Sequence, residues 1–183
     1  MGQNYTCGCG CGAKEDTARR AATLKFLRSE LLYDIANSAY VTADTADGDG
    51  GHPSHLIADI AEDGNVDRAT RVLNLAFAEL SEMLYPYTKE SVTDGTEDDD
   101  KLTGAGEYTL TLSLPASFSA TTLRLIKELA HEYLVCRVLH DWLSVTSPDN
   151  AEVWAAKAAD TAEKLRSALV SRVKAFRRKM KPF

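Results

Sequence analysis

Residues 119–148 read SATTLRLIKELAHEYLVCRVLHDWLSVTSP, and residues 149–180 continue DNAEVWAAKAADTAEKLRSALVSRVKAFRRKM. In the first part Leu123, Ile126, Ala130, Tyr133, Leu134, Val138 and Trp142 recur at intervals of three and four. That spacing sets them on one face of a helix. In the second part Trp154, Ala158, Thr161, Leu165, Leu169, Val173 and Phe176 do the same. Ser119 and Ser147 stand where N-caps are expected, and Pro148 occupies a first helical position, where its missing N–H costs nothing. The turn between the helices, Ser144-Val145-Thr146-Ser147-Pro148, is too short for anything but antiparallel neighbours. The stretch is therefore an αα-hairpin.

Working back from the hairpin, residues 108–114 form the one strand-like segment: Tyr108, Leu110, Leu112 and Leu114 alternate with Thr109, Thr111 and Ser113. A lone strand leaves its backbone groups unsatisfied, so it needs a partner. Residues 90–93 are a weak hairpin candidate, and a strand from another subunit is the stronger expectation. Before it, residues 88–106 carry Glu97, Asp98, Asp99 and Asp100 and little apolar content, the composition of a disordered or partner-ordered loop. A helix is expected from about Asn65 to Tyr85, with Val66, Leu73, Phe77, Leu80 and Leu84 inward and Pro86 ending it. A short helical piece holds Leu56, Ile57 and Ile60. The first helix is expected from Asp16 or Thr17 to about Ser38, on Leu24, Leu27, Leu31 and Ile35, with Phe26 and Leu32 widening the stripe.

The expected architecture is mainly α: a four-helix bundle-like core with a long C-terminal αα-hairpin and a short β-strand or hairpin insertion. Residues 1–13 read as a flexible Cys/Gly arm. Residues 14–183 read as a single helical domain with an extended loop and β segment at 88–115. A chain of 183 residues can bury a substantial core.

The formal net charge of −6 argues against nucleic-acid binding by the whole surface. The average conceals an asymmetry. Arg172, Lys174, Arg177, Arg178, Lys179 and Lys181 crowd the C-terminal end without one acid, which leaves the remainder at −12. Helix-dipole compensation accounts for part of that density. The rest suits an acidic partner, and Asp98, Asp99 and Asp100 of a neighbouring copy supply one. Incidental DNA contact is a second possibility for the same residues. No apolar run approaches the roughly 20 residues that span a bilayer. The N-terminus shows no signal-peptide core, so export by that route is not expected and the reading is cytoplasmic.

Motif searches are mostly negative: there is no phosphate-cradling loop, dinucleotide fingerprint, nucleophile elbow or zinc-protease helix. Asp44, Asp47 and Asp49 miss the calcium-loop spacing. His52 and His55 are a possible metal pair and more often surface residues. The N-terminal Met1-Gly2-Gln3-Asn4-Tyr5-Thr6 fits a loose myristoylation pattern, with nothing else membrane-directed. Cys7, Cys9 and Cys11 offer thiolates to a soft metal, which supports an alternative reading as a metal- or redox-dependent regulatory protein. Single-residue spacing is tight for one zinc ion. On the hairpin, Cys136 and His140 are expected to share a face, while His131 lies roughly 140° away from Cys136 around the helix.

The segment from Leu123 to Val135, followed by Asp141-Trp142-Leu143, the Ser-Pro turn and an Ala-rich helix, resembles the helical core of tailed-phage head–tail connector (adaptor) proteins. Ala69, Leu73, Ala76, Phe77 and Leu80 are similar to the early helices of that family. The likeness extends to proteins of phages and prophages of Bacteroides-type gut bacteria, and spans residues 24–170 as a pattern of helices. The Cys-Gly arm and the long acidic loop depart from the compact pattern of the family. The resemblance implies a structural virion protein without a cofactor or enzymatic activity, assembled in the host cytoplasm into a homo-oligomeric ring. Such a ring bridges the portal and the tail-proximal proteins. Residues 98–100, Tyr108, Leu110, Leu112 and the basic residues from Arg172 to Lys181 are then the candidate interface.

Overall fold

The computed structural model describes residues 19–46, 52–90, 102 and 104–170. Two strands, β1 (Arg19–Leu27) and β2 (Glu107–Pro115), accompany five helices: α1 (Arg28–Ala46), α2 (His52–Ala58), α3 (Asp63–Met83), α4 (Ala120–Thr146) and α5 (Pro148–Val170). A 3-10 turn, Asp59–Ala61, links α2 to α3. The chain is mainly helical with one two-stranded antiparallel sheet.

The hairpin forms as its periodicity requires. Ile126, Ala130, Leu134, Val138 and Trp142 of α4 are buried, as are Ala158, Thr161, Leu165 and Leu169 of α5. The connection is tighter than the five-residue turn, because α4 runs on to Thr146. The Ser144 and Thr146 hydroxyls donate to the carbonyls of Asp141 and Trp142 (2.6 and 3.1 Å), the local back-bonding by which such side chains satisfy their hydroxyls within a helix. Ser147 alone separates the helices. Its N–H donates to the Leu143 carbonyl at 2.8 Å, and its own carbonyl accepts from Asn150 and Ala151 at 3.1 Å. Ser119 also stands at the expected cap position, although its side chain makes no cap hydrogen bond.

The middle of α4 departs from a one-sided stripe. Tyr133, Leu134, Val135 and Cys136 are all buried, so consecutive residues face the interior. This is the signature of a helix covered on several sides. Here α1, α2, α3 and α5 all pack against α4. The Trp142 indole N–H reaches the Ile57 carbonyl at 3.0 Å, which satisfies its polar atom and ties α2 down.

The N-terminal part corrects two expectations. Residues 19–27, expected as the first half of a helix, form β1. They pair with β2 throughout, with Ala22, Leu24 and Phe26 opposite Leu112, Leu110 and Tyr108. The spacing of Leu24, Leu27 and Leu31 mimics a helical face, yet Leu27 is 50% exposed. The alternation of Ala22, Leu24 and Phe26 with Thr23 and Lys25 is the periodicity that the fold uses. The second correction follows from the first. β2 finds its partner within its own chain, not in another subunit and not at residues 90–93. Tyr108, Leu110 and Leu112, expected at an intersubunit contact, are buried in the protomer's own core. Lys25 bonds Glu107 across the outer face at 2.9 Å.

Candidate functional site

The polar chemistry of the described residues gathers along α4. The three residues singled out there divide between two sides of the helix. His131 turns toward α1, where its Nε2 lies 2.7 Å from Asp34 Oδ2 and its ring lies 6.5 Å from Phe26. Cys136 is buried against α5, and its thiol points at Glu132 at 3.8 Å. Burial pushes that thiol up to about 12, with Glu132 adding to the shift and Lys157 opposing it. A thiol held so firmly protonated is no nucleophile at neutral pH. His140 Nδ1 lies 3.2 Å from the Ala151 carbonyl; a carbonyl only accepts, so Nδ1 carries the proton. Cys136 and His140 thus do share the α5-facing side, and His131 points elsewhere.

A network that the sequence reading missed joins α3 to α4. Arg137 donates from Nε and a terminal nitrogen to both carboxylate oxygens of Glu79, at 2.9 and 3.0 Å. The Tyr133 hydroxyl adds a third bond to Glu79 at 3.2 Å. This is the bidentate fork that arginine makes with a carboxylate. Hydrogen bonding to Glu79 raises Arg137, and burial with the adjacent Glu79 charge raises Tyr133. Tyr133 and Arg137 are four residues apart, which was the available signal that they share a face. Nothing in the sequence pointed to Glu79 as their partner. Further ties are Arg68 to Asp141 at 3.3 Å, Glu132 to Lys157, and the Tyr108 hydroxyl to Asn74 at 2.6 Å. Burial raises Tyr108 as well, against the lowering effect of Arg28. Arg28 itself donates to the Thr70 hydroxyl at 2.7 Å.

An open groove of about 690 Å³ runs between the β1–α1 junction and the N-terminal half of α4. Phe26, Leu27, Leu125 and Leu129 supply its apolar surface. Its charged lining is unequal: Glu30, Asp34, Glu128 and Glu132 face Lys25 and Lys127.

Among the described residues no group of three or more His, Cys, Asp or Glu side chains is placed to hold a metal ion, and no helix is long and apolar enough to cross a membrane. Cys7, Cys9 and Cys11 lie outside the described residues, as do Asp98, Asp99, Asp100, Arg172, Lys174, Arg177, Arg178, Lys179 and Lys181. No protein-family model matches the chain, and no curated protein or solved structure matches it significantly.

Proposed function

We propose that this protein is a structural subunit of a phage head–tail connector ring, bridging portal and tail components through contacts between copies. One observation carries the reading. The chemistry-bearing side chains of α4 are engaged in fastening helices together: His131 to α1, Arg137 and Tyr133 to α3, His140 and Glu132 to α5. Such an arrangement supports a rigid interaction module rather than a reaction centre, where an acid or base would face a substrate cavity. The β segment lends no support, since its partner is internal. What supports the reading is the resemblance of the sequence's helical pattern to connector proteins and the opposed charges of residues 97–100 and 172–181. The virion is the implied location.

Negative-stain electron microscopy of the purified full chain, with sedimentation velocity alongside, tests the reading. Annular particles are the expected result. A monodisperse 20.0 kDa monomer at all accessible concentrations overturns it.

A further inference from the structure

The register of the hairpin sets up a mismatch at its open end. His140 stands opposite Ala151 and Glu132 opposite Lys157. Counting along both helices from these contacts, Ala120 at the start of α4 stands opposite the last described turn of α5, where Leu169 is buried. α4 therefore offers no residue opposite the positions that follow. The apolar periodicity of the sequence does not stop there: Val173, Phe176 and Met180 continue it at intervals of three and four, among Arg172, Lys174, Arg177, Arg178 and Lys179. The register of the hairpin accounts for the apolar positions of α5 as far as Leu169.

The groove between β1, α1 and α4 has the complementary chemistry. Leu27 and Leu125 at its edges are 50% and 52% exposed, large apolar side chains beside a surface rich in carboxylates. Four carboxylates line it against two ammonium groups and the His131 imidazole, with Glu128, Asp34 and Glu132 engaged by Lys127, His131 and Lys157, while the segment from Arg172 to Lys181 is basic throughout. Ten residues of helix span about 15 Å, and the groove's wall from Leu125 to Glu132 spans about 10 Å. The sequence from Ala151 to Lys181 contains no glycine or proline to turn the chain back on itself. No sequence break in that stretch favours a turn back toward the protomer's own groove, which leaves a second copy as the acceptor.

We infer that this groove receives the basic C-terminal segment, residues 172–181, of a second copy of the chain, with Val173 and Phe176 against Leu27, Leu125 and Leu129. Glu30 and Glu128 face the arginines. The contact is heterologous, tail of one copy to groove of the next, the kind that closes a ring when its rotation allows. The inference deepens the connector reading and rests on it for the closure of the ring, though not for the contact itself.

The experiment uses the full chain in two charge-reversed forms, Glu30→Lys with Glu128→Lys, and Arg177→Glu with Arg178→Glu. Both changes in the groove are at exposed positions, and circular dichroism checks that helicity is retained. In sedimentation velocity each form alone is expected to self-associate about tenfold or more weakly than wild type, and an equimolar mixture to regain association through the restored opposite charges. Wild-type association by the groove-reversed form overturns the inference. So does a mixture of two folded forms that stays dissociated, or a wild-type chain that never associates. Annuli that persist in both reversed forms leave the ring reading standing and remove the groove contact. Rescue in the mixture with only open or dimeric assemblies in the microscope does the reverse.

Discussion

The α4–α5 hairpin and the β1–β2 ribbon are built from stretches of similar apolar content, but they were not equally visible in the chain. The hairpin is assembled from neighbours in sequence, and one residue, Ser147, connects its two helices. Each helix displays its period over more than twenty residues, long enough for a period of 3.6 to stand clear of a period of two. The ribbon joins two nine-residue strands that lie on either side of three helices. At that length Leu24, Leu27 and Leu31 pass for a helical stripe, and only the presence of β2 decides for the strand. Local order is legible in a single sequence; a pairing across some eighty residues is a property of the whole fold.

The largest effect that separates the regions comes from the centre of the hairpin. Leu134 is fully buried in α4, and Leu134→Ala is expected to destabilise the protein by about 2–5 kcal/mol in urea unfolding, against roughly 0.5 kcal/mol or less for the exposed Leu125→Ala. Equal losses for the two would mean that α4 is not the centre of the core. The ribbon comes next. Leu112 is buried in the protomer's core, so Leu112→Ala should cost about 2–4 kcal/mol of stability at a dilution where sedimentation shows monomers. A loss seen only where copies associate, and absent from the monomer, would return β2 to an intersubunit role.

Smaller still is the Glu79–Arg137 fork. A double-mutant cycle with Glu79→Gln and Arg137→Met is expected to give a coupling of about 1 kcal/mol, since both side chains are about one-third exposed. Zero coupling would remove the network as a tie between α3 and α4.

The Cys136 thiol gives the subtlest readout. Its pKa is raised by burial from 9.0 to about 12, so the neutral thiol stabilises the fold fully below pH 9. That contribution is lost as the pH climbs from 9 toward 12. Unfolding of wild type and Cys136→Ala across that range should show their difference in stability shrinking as pH rises. Tyr108 and Tyr133 are raised too, but are common to both proteins and cancel. A constant difference would contradict the assignment.

These contrasts also explain what could be read from the candidate site. The separation of His131 from Cys136 and the shared face of Cys136 and His140 followed from helix geometry alone. The partners Asp34 and Glu79 did not, because no local spacing encodes which carboxylate on another helix meets a given cation. Tyr108, Leu110 and Leu112 read as an interface in the sequence because an alternating segment without a visible partner looks incomplete. Ala22, Leu24 and Phe26 held the complement all along, under a helical disguise supplied by Leu27 and Leu31.

The account depends on a protomer that completes its own sheet and core and leaves assembly to surfaces outside them. Amide hydrogen exchange on the full chain, at a dilution where sedimentation shows monomers, tests this directly. Slow exchange of the β1 and β2 amides in the monomer, unchanged on assembly, is the predicted result. Amides of β2 that exchange freely in the monomer and become protected only when copies associate would contradict it.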